Sequence, residues 1–204
     1  MSEPASYAVV VLAGGTSRRM GGGDKTALDL GAGRSVLDHL VSGLDPVVPV
    51  VVVGPERPLE RSVTWAREQP PGGGPLAALA AGLAALPGPA PDWLVLLAGD
   101  QPFAADGVPL LLAAAVAAAD TDAVLGVDRG GRDQPLLAAY RSGAVRAALE
   151  PLARAVAGHA MAWLLDRMRV HRLALPDSVT LDVDDPASLA RARAALGARP
   201  TDDA

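Results

Sequence analysis

The chain has 204 residues, half of them apolar and a fifth charged, which is enough for a sizeable core and too apolar for global disorder. A net charge of −5 and an aromatic content of 3% exclude a general nucleic-acid binder, which needs basic patches and stacking platforms. The absence of cysteine removes disulfides, thiolate metal sites and a cysteine nucleophile, and the longest uncharged apolar stretch, 107–119, falls short of the ~20 residues that span a bilayer. With no basic segment leading into an apolar one at the N-terminus, a cytoplasmic protein that binds neither membrane nor nucleic acid is expected.

Apolar, β-branched runs alternate with Ala- and Leu-rich segments of helical length. In chain order the pattern predicts a strand over 7–13, a glycine-rich loop, a helix over 35–44, strands over 47–53 and 63–65, and a helix over 76–86. A strand over 93–98, a helix over 108–119, and strands over 123–127 and 136–140 follow. The rest is a helix over 143–157 interrupted at Pro151, a helix over 161–168, a strand over 170–175 and a helix over 186–196. Asp185-Pro186 places an acceptor at the cap of that last helix and proline at its first position. Continuous runs such as VVPVVVV (47–53) and WLVLLA (93–98) suit strands buried on both faces, so a three-layer α/β/α fold with a mostly parallel sheet is expected. Ligands in such folds gather at the carboxyl ends of the strands.

One such end carries VVVLAGGTSRRMGGGDKTALDL, residues 9–30. It is not a P-loop, because Asp24 stands where glycine must precede Lys25-Thr26, and its adjacent Gly14-Gly15 do not fit the dinucleotide fingerprint. Glycines let backbone amides approach phosphate oxygens, and Arg19 and Lys25 supply positive charge, so the loop reads as another kind of phosphate site. Lys25 is the sole lysine against seventeen arginines, in a chain that also lacks Asn and Ile. The bias fits a GC-rich coding sequence in which arginine fills generic positive positions, leaving the one compact ammonium with a task of its own. Asp100 ends an apolar strand and reads either as a cap for the following segment or as a metal ligand. The three histidines and three tryptophans read as structural, surface or core residues.

The opening stretch resembles the nucleotidyltransferase signature L-A-G-G-x-S-x-R-M-G-x-D-K, and most closely that of the molybdenum cofactor guanylyltransferases. Leu12, Ala13, Gly14, Gly15, Ser17, Arg19, Met20, Gly21, Asp24 and Lys25 carry the match, with one extra glycine between Met20 and Asp24. PPGGGPLAALAAGL (70–83) resembles the family's purine-binding segment, with Glu68 where the family usually has Asp. LLAGDQPF (96–103), GRDQPLLAAYR (131–141) and LDVDDPASLARA (181–192) resemble further segments, so the likeness covers nearly the whole chain.

The resemblance implies a Rossmann-like nucleotidyltransferase domain over 1–197, with a frayed tail at 198–204. It implies nucleotide binding by Leu12, Ala13, Gly14, Gly15, Lys25, Glu68, Gly74, Pro75, Leu76 and Asp100, and catalytic roles for Arg19 and Lys25. Asp100 and Asp184 would hold Mg²⁺, Asp184 standing where the family has Asn; Asp182 reads as a solvated turn carboxylate. The implied reaction moves GMP from GTP to the terminal phosphate of the molybdopterin cofactor, with other proteins of molybdenum cofactor biosynthesis as partners. Rival readings are a cytidylyltransferase on the same pterin, another small-phosphate nucleotidyltransferase, a nucleotide-sugar pyrophosphorylase, and a non-catalytic nucleotide or cofactor carrier. Gly54 departs from the family, which often has an Asn whose amide meets the base.

Overall fold

The computed structural model describes residues 5–14, 23–152 and 155–198. A seven-stranded sheet is built from β1 (Tyr7–Leu12), β4 (Val50–Val53), β5 (Thr64–Ala66), β6 (Trp93–Ala98), β7 (Ala123–Val127), β8 (Asp133–Arg141) and β9 (Val170–Ala174), in the order β5-β4-β1-β6-β8-β7-β9. Every pairing is parallel except the two made by β8, which runs antiparallel to β6 and to β7. The expected mostly parallel sheet is therefore present.

Alternation along the central strands divides the core in two. Val9 and Val11 of β1, Val50 and Val52 of β4, and Val95 and Leu97 of β6 face α1 (Val36–Ser42) and α3 (Val108–Ala117). Val10, Val51, Leu94 and Leu96 face α2 (Pro75–Ala85), α4 (Ser142–Leu149) and α5 (Met161–Leu165). Burial on both faces is why these strands read as unbroken apolar runs. A third cluster joins α6 (Pro186–Gly197) to Leu30, Val36, Phe103 and Val183. Asp185 caps α6 as expected, accepting from the Ser188 amide at 2.7 Å within a capping box.

The structure corrects several element boundaries. β4 starts at Val50, because Asp45 draws the amides of Val47 and Val48 into a turn, leaving Val47 84% exposed. The helix expected over 143–157 is α4 followed by the 3-10 turn Glu150–Leu152, as Pro151 requires. α5 stops at Leu165, short of the expected 168. A small hairpin, β2 (Asp29–Gly31) with β3 (Arg34–Ser35), was not expected at all. Most of the predicted tail, 199–204, lies outside the described residues, whereas Ala198 caps α6. No helix among the described residues is long and apolar enough to cross a membrane.

Candidate active site

The carboxyl ends of the parallel strands open into a cleft of about 430 Å³. Its floor follows from strand register: Leu12 pairs with Val53 on one side and with Ala98 on the other, and all three line the cleft together with Leu136 of β8. This apolar strip crosses four neighbouring strands. The wall opposite is the start of α2, with Gly72, Gly74, Pro75 and Ala78.

Gly74 is the N-cap of α2 at φ 90°, a conformation that side chains resist, and Pro75 fits the first helical position. Glu68 braces the loop before it, its Oε1 accepting from the Gly72 amide at 3.0 Å, and it also lines the cleft. The backbone of Gly158 donates to Gly73 O at 2.8 Å, tying the segment that carries His159 to the same loop.

At the other end of the cleft Lys25 opens the 3-10 turn Lys25–Ala27, capped by Asp24. Its ammonium pairs with Asp184 and lies 3.6 Å from Asp100. Asp184 arrives there through backbone pairing. The Val183 amide donates to Asp100 O at 2.9 Å, and Val183 itself is fully buried in the third cluster. Asp184 is the next residue, so this bond brings it to the end of β6 beside Lys25.

Burial works against the charge on Lys25, but the hydrogen bond to Asp184 and the field of Asp100 outweigh it and raise its pKa. For Asp100 the order is reversed: burial dominates, and its carboxyl stays above the usual range despite Lys25. Asp182, read as a solvated turn carboxylate, is exposed, and partial desolvation, then the neighbouring Asp184, raise its pKa.

Asp100 caps no helix. The following 3-10 turn, Ala104–Gly107, has Phe103 at its cap, and α3 has Gly107 at its own. Of its two readings from sequence, the helix cap is thereby removed. Two hard carboxylates converging on a single cation suit a small divalent metal, which commonly takes one or two protein carboxylates and leaves its other positions to phosphate and water. Among the described residues no group of three or more metal-ligating side chains exists.

The structure thus brings Leu12, Gly14, Lys25, Glu68, Gly74, Pro75 and Asp100 to one cleft, with Asp184 at its edge on Lys25. Ala13 and Leu76 are buried in the core clusters and do not line the cleft. Gly15 and Arg19 lie outside the described residues. Gly54 follows β4 where an added Cβ would come within 2.8 Å of the Ala13 carbonyl, so this backbone leaves no room for the amide side chain common in the family. Thr26, which lines the cleft, and Arg57, which holds Thr26 and Asp24, were not anticipated. Thr26 lies directly beside Lys25, whereas nothing in the sequence marks Arg57 out among seventeen arginines.

Residues 9–171 match the family described as the MobA-like NTP transferase domain. A molybdenum cofactor guanylyltransferase of Mesorhizobium japonicum is 38% identical over 140 residues, 64% of this chain and 65% of that one. The chain therefore spans just under two thirds of the length of the curated relatives it matches. The crystal structure of molybdopterin-guanine dinucleotide biosynthesis protein A from Archaeoglobus fulgidus superposes with a TM-score of 0.69 at 22% identity, covering 94% of this chain and 99% of that one. A manganese complex from Mycobacterium tuberculosis superposes with a TM-score of 0.58 at 20% identity, covering 93% and 98%. Both likenesses concern the fold.

Proposed function

This chain belongs to the MobA-like NTP transferase family, and on that premise we propose that it transfers GMP from GTP to the terminal phosphate of a molybdopterin cofactor, releasing pyrophosphate. The carrying observation is Lys25, placed against Asp100 and Asp184 at one end of a cleft whose other end is the glycine loop at the start of α2. An apolar strip suits a base and sugar, and the charged end suits phosphates.

In this reading the nucleotide lies along Leu12, Gly14 and the loop at Glu68 and Gly74. Pro75 lines the same seat, and the resemblance adds Ala13, Gly15 and Leu76 to it. Asp100 and Asp184 would hold Mg²⁺, which when bound would supply positive charge that neutralises the phosphates. A phosphate oxygen of the acceptor forms a bond to the α-phosphorus of GTP as the bond to the β-phosphate oxygen breaks. Lys25 and Arg19 carry the charge that develops on the departing pyrophosphate, a role of positioning and electrostatic stabilisation. The acceptor phosphate is already anionic at neutral pH, so the chain supplies no general base.

The domain performing this chemistry is residues 1–197, working with proteins that deliver the pterin and receive the dinucleotide. Mass analysis of the pterin after incubation with Mg²⁺ and either GTP or CTP tests the assignment. A guanine dinucleotide is expected. A cytosine dinucleotide would assign the cleft to a cytidylyltransferase, and unchanged pterin beside bound nucleotide would point to a carrier.

A further inference from the structure

Lys25 is held from both sides by a residue far away in sequence. Arg57, on the connection between β4 and β5, donates from one guanidinium nitrogen to Asp24 Oδ2 at 2.6 Å and from the other to Thr26 Oγ1 at 3.0 Å. Asp24 and Thr26 are the neighbours of Lys25 in the chain, and they are bonded to each other: Asp24 Oδ1 accepts from the Thr26 amide at 3.0 Å and from its hydroxyl at 2.6 Å. The Arg57 side chain is only 15% exposed, and its Nε reaches Pro55 O at 3.4 Å within its own loop. Arg57 is not among the residues that line the cleft.

We propose that Arg57 is a positioning residue for Lys25, fixing where the phosphate loop delivers its ammonium. The inference rests on the functional reading above for its consequence in catalysis, but the clamp itself is a matter of geometry. A planar guanidinium can hold two acceptors on alternate residues at once, which a lysine ammonium on a flexible stem does less well. Both groups are ions, so their hydrogen bond is charge-assisted, and partial burial leaves it less screened than a surface pair. The exit of the loop is thereby registered on the β4–β5 connection. Displacing a charge-bearing group by about 1 Å can cost roughly 10²-fold in rate, which is the leverage such a clamp has.

The single lysine makes a direct test possible, since lysine labelled with ¹³C at Cε yields one side-chain resonance. The spectrum is recorded without nucleotide for the wild type, Arg57→Gln, Asp24→Asn and the double variant, with a thermal melt of each. Both single variants should move the Lys25 resonance towards that of free lysine, and the double variant should move it no further. Turnover should fall roughly 10- to 100-fold in Arg57→Gln, yet Arg57→Gln should add nothing to Lys25→Ala. Should Arg57→Gln unfold the chain, Asp24→Asn decides on the same resonance. An unmoved resonance in folded variants overturns the proposal. Losses that multiply in the Lys25→Ala background also overturn it, because Arg57 would then act on the nucleotide directly. A wild-type chain that transfers no GMP sinks the functional reading instead, and the resonance still decides the clamp.

Discussion

Lys25 and Asp184, 159 positions apart, form an ion pair at the carboxyl end of the sheet, with Asp100 3.6 Å from the same ammonium. One positive group thus sits between two carboxylates. Its partners on the two sides come from a strand end and from the turn before α6, so the arrangement exists only once the sheet is complete.

Replacing Lys25 tests that arrangement twice. Lys25→Ala, and even Lys25→Arg, should lower turnover by roughly 10²-fold, since a guanidinium cannot reproduce a compact ammonium. In the absence of nucleotide, Lys25→Ala should bind Mn²⁺ more tightly than the wild type, because the ammonium no longer competes with the metal for Asp100 and Asp184. A paramagnetic titration reads this, and unchanged affinity would mean that the ammonium does not compete for the metal position.

Asp100→Ala should abolish the response of turnover to Mg²⁺ and leave the circular dichroism spectrum intact. Its carboxylate caps no helix, and burial already raises its pKa, so the fold has little to lose with it. Retained Mg²⁺-dependent turnover would remove Asp100 from the metal position.

The site was unevenly legible in the sequence. Lys25 stood out because it is the only lysine, and Asp100 because it ends a run of buried apolar residues. Asp184 had no local mark; it came through resemblance, and its reach to Lys25 depends on Val183 pairing with Asp100. Arg57 had none either, since its partners lie 31 and 33 positions away and one arginine among seventeen carries no signal. The three-layer core was readable from Val and Leu runs, but the direction of β8 was not, because a strand buried between two others shows the same apolar pattern whichever way it runs. The β2–β3 hairpin, with strands of three and two residues, is too short for periodicity to register.

Gly82→Ala should destabilise the fold although alanine is the better helix former. An added Cβ would meet Val10 Cγ1 at 2.5 Å and Val53 Cγ2 at 3.1 Å, where α2 lies directly on the sheet. Overpacking of this kind costs about 1–3 kcal/mol, against a helix gain of about 0.5–1 kcal/mol. A lower urea midpoint with an unchanged slope is expected, and a raised midpoint would show that the layers have slack.

Asp122 locks the edge strand β9 to β7, accepting from Arg169 Nε at 2.9 Å and from the Arg169 amide at 3.0 Å. These hydrogen bonds hold its pKa below the usual 3.8. A depressed carboxyl contributes stability above its unfolded pKa and loses it as the pH falls through the lower, folded value. Asp122→Asn should therefore melt a few degrees below the wild type at neutral pH, with the gap closing under acid conditions. A gap that does not depend on pH would assign the effect to lost packing.

The most direct test of guanylyl transfer is pyrophosphate release by the purified chain with Mg²⁺ and molybdopterin, comparing GTP with CTP. The proposed guanylyl transfer predicts release that requires GTP, acceptor and metal together. Release with CTP in preference to GTP, or none with GTP under conditions where the nucleotide binds, would contradict it.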